Sequence, residues 1–171
     1  MRLFIAINLN EATRSGLASL QDGLRETAAR GRFSARENLH LTLAFLGDCG
    51  PAQTAAARAA MDGMQFAPFP LRIDRLGRFR RDSGDIWWAG VEASEPLLAL
   101  QRDLTKELQG LGFQLEDRLF QPHITLAREV VTQEKERTVS PFGETVTQID
   151  LMKSERMGGK LTYTAIHSVH G

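Results

Sequence analysis

Cysteine occurs once in the 171 residues, at Cys49, so neither an internal disulfide nor a thiolate metal cluster can form, and the chain suits a reducing compartment. Nothing in the local sequence lowers a thiol pKa, and Cys49 reads as an unreactive loop residue. Net charge is missing too. Lysine and arginine number 21 and so do aspartate and glutamate, which excludes a global positive field able to hold long nucleic acid by counterion release. Any contact with nucleic acid must therefore be local. No apolar run reaches the length of a membrane span. The opening stretch Met1 to Ile7 is broken by Asn8 and Glu11 with no small-residue cleavage site behind it, so no leader is expected and a cytoplasmic location is. Prolines number only 6 and apolar residues make up 42%, which excludes a disordered or fibrous chain and fits one globular domain over residues 1–171, expected to be a monomer.

What is present is a recurring order of elements. Residues 2–9 are short, apolar and β-prone, and Asn10-Glu11 caps a helix with Leu17, Leu20, Leu24 and Ala28 on one face, stopped by Gly31. His40 to Leu46 reads as a strand and Gln53 to Met61 as a second helix. Phe69 to Phe79 and Asp85 to Glu92 read as a hairpin around Arg80-Arg81-Asp82-Ser83-Gly84. Ser94 opens a helix with a core stripe of Leu97, Leu100, Leu104, Leu108 and Leu111. Pro122 to Glu129 is again a strand, Thr132 to Arg137 a short helix, and Thr145 to Ser154 and Leu161 to Val169 closing strands. A strand, a long amphipathic helix and a His-bearing strand thus occur twice, which points to two similar lobes facing each other.

The informative residues are His40-Leu41-Thr42-Leu43 and His123-Ile124-Thr125-Leu126. Strand alternation puts His40 and Thr42 on one face and Leu41 and Leu43 on the other, and divides His123 and Thr125 from Ile124 and Leu126 in the same way. At average residue usage a histidine falls in such a frame roughly once in two hundred, so a matched pair is poorly explained by chance. Two imidazoles titrating near neutrality suit a reaction that takes a proton from a nucleophile and gives one to a leaving group. Two threonine hydroxyls on opposite walls suit a phosphoryl group between them, and in-line displacement at phosphorus needs entering and leaving oxygens on opposite sides. Zinc would need a third protein ligand and hard ions a carboxylate cluster; neither motif supplies one, so no metal is expected.

With Met1 to Ile7, Glu37-Asn38-Leu39-His40-Leu41-Thr42-Leu43 with Phe45-Leu46-Gly47, and Pro122-His123-Ile124-Thr125-Leu126-Ala127-Arg128, the chain resembles the 2H phosphoesterase superfamily, specifically its bacterial RNA 2′,3′-cyclic phosphodiesterases, also called 2′-5′ RNA ligases. The resemblance implies an α+β fold of two pseudo-symmetric lobes, each an antiparallel sheet with helices on its outer face, around a central cleft. It implies hydrolysis of a 2′,3′-cyclic phosphate to a 2′-phosphomonoester without cofactor or metal, and a reversible ligase reaction through the same transition state. It further implies that His123 is the base and His40 the acid, roles the residues alone leave open. Expected substrates are RNA ends with a 2′,3′-cyclic phosphate, such as tRNA halves, or small cyclic nucleotides. A related enzyme acting on another cyclic or 2′-5′-linked nucleotide, and a non-catalytic RNA-end binding module, are the alternatives.

Strict alternation turns Arg128 and Phe45 away from the histidines. A strand end or bulge could return Arg128 to the cleft, as the resemblance favours, to hold phosphate beside Thr42 and Thr125. Parity makes Phe45 a core residue, with base stacking as the second reading. Arg78 and Arg80, with Phe79 between them and Trp87 and Trp88 just beyond, suit either single-stranded RNA or a solvated hairpin rim. One of the two tryptophans should be core and the other available, here Trp88. Tyr163 is a further candidate for the cleft, while His167 and His170 lack the threonine frame.

Overall fold

Along the first strand, β1 (Arg2–Asn8), five consecutive residues from Leu3 to Ile7 are buried on both faces, which marks it as an interior strand despite its place at the start of the chain. The computed structural model describes residues 1–171. After β1 come α1 (Glu11–Thr27), β2 (Ala28–Phe33), a single 3₁₀ turn at Arg36–Asn38, β3 (His40–Asp48) and α2 (Pro51–Asp62). The hairpin β4 (Phe69–Phe79) and β5 (Asp85–Val91) follows, then α3 (Glu95–Gly110), β6 (His123–Thr132), β7 (Arg137–Val146), β8 (Gln148–Met157) and β9 (Lys160–His170). The strands form a four-stranded sheet ordered β3-β1-β8-β9 and a five-stranded sheet ordered β2-β6-β5-β4-β7. All pairings are antiparallel.

The helices tie the two sheets together. α1 follows β1 of the four-stranded sheet yet packs on β2, β6 and β7 of the other; α3 precedes β6 of the five-stranded sheet and packs on β3 of the four-stranded one as well as on β4 and α2. Each lobe is therefore built from both halves of the chain, and one continuous apolar core joins Ile5 of β1 to Leu17 of α1, Leu41, Trp87, Leu104 and Leu126. Trp87 is 0% exposed with its indole inside that core. Trp87→Ala is expected to cost about 3–5 kcal/mol through the cavity it leaves. Urea unfolding monitored by far-UV circular dichroism measures this, and a loss under about 1 kcal/mol would contradict the packing.

Local chemistry explains the boundaries. The Asn10 side chain accepts from the Thr13 amide at 2.9 Å and caps α1, as expected. Ser94 occupies the cap position of α3 but its side chain makes no capping bond. Four expectations are corrected. α1 ends at Thr27, not Gly31, because Ala28–Phe33 is drawn into pairing with β6. Thr132 to Arg137 is no helix: Thr132 ends β6 and Arg137 begins β7, whose pairing with β4 supplies the backbone bonds a helix would have made. Leu111 lies one residue beyond α3 and is 49% exposed, while Leu97, Leu100, Leu104 and Leu108 are buried as the stripe requires. Phe45, by parity a core residue, is 50% exposed, for a reason that belongs to the site. Cys49 is buried, and that burial pushes its thiol pKa up, away from reactivity. No helix is long and apolar enough to cross a membrane.

Candidate active site

β3 and β6 approach each other where the two sheets meet, and each carries the same irregularity. Along β3, Ala6 of β1 pairs with Thr42 and Ile5 with Ala44, so Leu43 is an extra residue and the strand is bulged there. Along β6, Trp88 pairs with Thr125 and Trp87 with Ala127, which leaves Leu126 extra at the equivalent position. Before each bulge the alternation is as expected, with Leu41, Leu43, Ile124 and Leu126 buried and both histidines and threonines half-buried on the other face. After it the parity flips: Ala44 and Ala127 turn into the core, and Phe45 and Arg128 emerge on the histidine face. Phe45 pairs with Phe4, which touches His40, so its exposure is on the site side.

The two imidazoles are held alike. His40 Nδ1 lies 2.7 Å from the carbonyl oxygen of Asn38, and His123 Nδ1 lies 2.6 Å from that of Gln121, each two residues upstream. A carbonyl only accepts, so Nδ1 carries the hydrogen and Nε2 is the nitrogen free to exchange a proton. Aromatic rings flank each imidazole. His40 sits 4.9 Å from Phe4 and 5.3 Å from Tyr163 between ring centroids, and His123 sits 5.1 Å from Phe79 and 6.1 Å from Trp88. Trp88 in turn lies over Gly77, its cross-strand partner, where any side chain would collide with the indole. The symmetry breaks at the threonines: the Thr42 hydroxyl donates to His40 Nε2 at 2.9 Å, and Thr125 makes no such bond.

Burial holds both histidines below the ordinary imidazole pKa, because it penalises the cation; the carbonyls of Asn38 and Gln121 oppose this. The charge of His123 lowers His40 further, and that of Arg128 lowers both. Burial raises the Tyr163 hydroxyl, again against the Arg128 charge and that of Arg2. Arg128 thus acts electrostatically on both histidines and on Tyr163, and the site holds a fixed positive charge beside two ring-flanked imidazoles whose charged forms are disfavoured. Such a place favours an anion.

Of the residues singled out in the sequence, the structure brings together His40, Thr42 and Tyr163 on one wall and His123, Thr125, Arg128 and Trp88 on the other. Trp88 is half-buried there, while Trp87 is core. Phe45 lies on the rim with the Arg2 guanidinium 5.0 Å above its ring. Arg78 does not join the site. It pairs across the hairpin with Trp87, stands 5.6 Å over that ring, and is neutralised by Asp85 at 3.4 Å and Glu136 at 3.8 Å. Arg80 is exposed beyond Phe79 at the hairpin turn. His167 bonds Asp62 at 2.7 Å and ties β9 to α2. No group of three or more His, Cys, Asp or Glu side chains gathers at metal-binding distance. Sequence reasoning missed Phe4, and it grouped Phe79 with Arg78 and Arg80 as a possible RNA contact without placing its ring against His123. Phe4 had a signal, since it alternates with Leu3 and Ile5 and so shares a face with Asn8; Phe79 had only its place among the hairpin arginines.

Comparison with known proteins agrees with this geometry. Residues 11–157 match the model of the 2′-5′ RNA ligase superfamily. An RNA 2′,3′-cyclic phosphodiesterase of Methanothermobacter thermautotrophicus is 30% identical, the match covering 96% of this chain and 95% of that one. One of Escherichia coli is 30% identical over 96% of this chain and 93% of its own length. The match to the Geobacillus stearothermophilus protein of that name is 35% identical but spans only 41% of its length. Among solved structures, a phosphoesterase superposes with a TM-score of 0.85 at 28% identity, covering 99% of this chain and 97% of that one. Escherichia coli LigT complexed with 3′-AMP superposes with a TM-score of 0.82 at 27% identity, over 99% of this chain and 96% of that one. The twice-repeated bulged strand, each copy carrying a carbonyl-anchored histidine, sits in a fold shared with these enzymes, and the chain belongs to the 2′-5′ RNA ligase superfamily.

Proposed function

We propose that the protein is a metal-independent RNA 2′,3′-cyclic phosphodiesterase. One observation carries the reading: two imidazoles on facing strands, each with Nδ1 spent on a carbonyl and Nε2 left for proton transfer, beside one arginine whose charge acts on both. The names of the relatives supply the substrate class. Water attacks phosphorus and gives its proton to His123 Nε2. The P–O3′ bond breaks, and His40 Nε2 gives its proton to the departing 3′ oxygen. The products are a 2′-phosphomonoester and a 3′ hydroxyl, and proton exchange with solvent restores a protonated His40 and a neutral His123. Thr42, Thr125 and Arg128 hold the phosphate oxygens, Thr42 by turning its hydroxyl from His40 to the substrate. Phe45, Trp88 and Tyr163 flank the nucleoside. With a 5′ hydroxyl in place of the attacking water and the roles unchanged, the same groups join a 2′,3′-cyclic phosphate end to that hydroxyl through a 2′-5′ bond, and microscopic reversibility exchanges the two roles in the reverse cleavage.

The pH dependence follows from the two lowered pKa values. The acid must be protonated, so kcat/KM falls as pH rises through its lowered pKa; the base must be neutral, so kcat/KM falls as pH drops through the other. The profile in kcat/KM is therefore a bell centred below about pH 6.5, the ordinary imidazole value. The bound phosphate anion favours the imidazolium, so the alkaline limb of kcat lies higher than that of kcat/KM. Initial rates on a mononucleoside 2′,3′-cyclic phosphate, with the product identified by ³¹P NMR, test both parts. A 3′-phosphate product, or a profile flat between about pH 5 and 9, would contradict the reading.

A further inference from the structure

β2 adds one residue that no motif marks. Arg32 is the direct cross-strand partner of Arg128, while the next pair along, Phe33 and Ala127, turns toward the core. Paired residues share a face, so Arg32 and Arg128 stand side by side on the cleft side of the five-stranded sheet. Two like charges directly opposite destabilise a sheet. The backbone beside Arg128 is irregular. Glu129 follows Arg128 in a left-handed conformation, φ 54°, unusual for a residue with a side chain. Gly84 of the β4–β5 turn packs on that backbone so closely that a Cβ there would stand 2.6 Å from the Glu129 carbonyl carbon. The acid that pairs with Arg32 is Glu129, at 3.4 Å, and both side chains are largely in solvent, at 68% and 48% exposure, so the pair is screened and its neutralisation weak. The charge of Arg128 acts on both histidines and that of Arg32 on neither, which places Arg32 outside the reacting centre.

We infer that Arg32 binds a second phosphate, the phosphodiester immediately 5′ of the cyclic end, and so selects an RNA terminus over a free cyclic mononucleotide. The inference rests on the proposed phosphodiesterase reading. An anion between the two guanidiniums turns a repulsive pair into a bridging one, and the strand then leaves the site over the β2 edge. Arg128 serves the reacting phosphate; Arg32 serves its neighbour.

The test compares kcat/KM on a mononucleoside 2′,3′-cyclic phosphate with that on a short oligoribonucleotide ending in the same group. In Arg32→Gln the ratio of oligonucleotide to mononucleotide kcat/KM falls about fivefold at low salt, the worth of one exposed ion pair. The slope of log kcat/KM against log salt on the oligonucleotide flattens by about 0.7, the share of one single-strand contact. Arg32→Lys restores most of the ratio, and a neutral methylphosphonate at the first linkage removes the difference between wild type and Arg32→Gln. An unchanged ratio, an equal loss on both substrates, or a difference that survives the methylphosphonate would overturn the inference. Absence of turnover by the wild type on both substrates would instead remove the activity on which it rests.

Discussion

His123→Ala is expected to lower turnover of a 2′,3′-cyclic nucleotide by about a thousandfold, and His40→Ala by a similar factor, since a positioned general acid or base contributes roughly 10²- to 10⁴-fold. Both variants should fold. Each ring bonds backbone only through Nδ1, to the carbonyl two residues upstream, and faces the site and not the core. Loss of the ring contact with Phe79 or Phe4 costs no more than about 1.5 kcal/mol, small against the stability of a domain. The double variant should be little worse than either single one, because a paired acid and base act as a unit. Steady-state rates and thermal unfolding of the three variants measure this together. Wild-type turnover in either single variant would end the paired role, and losses that multiply fully in the double variant would argue for two independent contributions.

Arg128→Gln is expected to reduce kcat/KM by about a hundredfold, at the lower end of what one preorganised charge or donor contributes to a developing anion, since Arg128 is exposed to solvent. Its second signature is electrostatic. The Arg128 charge lowers both histidines, so its removal raises both imidazole pKa values, and the bell in kcat/KM moves to higher pH. Arg128→Lys keeps the charge without the fork, so the titrations stay near wild type while much of the rate is lost. NMR titration of the two ring Cε1 protons separates these effects. A change of less than about threefold in rate, or histidine titrations that do not move in Arg128→Gln, would show that the guanidinium does not serve the site.

The site was legible to the extent that it obeys strand alternation. His40, Thr42, His123 and Thr125 precede their bulges, and period-two reasoning places them correctly. Phe45 and Arg128 follow the bulges at Leu43 and Leu126, and a bulge is set by the register of the partner strand, which no local pattern encodes. Ala28–Phe33 reads locally as a helix end because Gly31 is a stop signal. Its strand character comes from β6, a partner far along the chain. β7 escapes local reasoning for a related cause: Pro141 and Gly143 argue against a strand, yet β7 lies at the sheet edge, and Pro141 falls within an irregular stretch of its pairing with β4. Arg32 carries no signal until β2 is known. The repeat of strand, helix and His-bearing strand was visible; the crossing of α1 to the other sheet and the contact of α3 with both were not, since amphipathic stripes tell that a helix packs and not on what.

The central claim is that two histidines and no metal ion break the cyclic phosphate. Its most direct measurement is hydrolysis of an oligoribonucleotide 2′,3′-cyclic phosphate by the wild type, His40→Ala and His123→Ala, each with excess EDTA. The expected result is full wild-type turnover to a 2′-phosphate and about a thousandfold less in each variant. Loss of wild-type turnover in EDTA with recovery on adding a divalent ion, or turnover within about tenfold of wild type in either histidine variant, would contradict it.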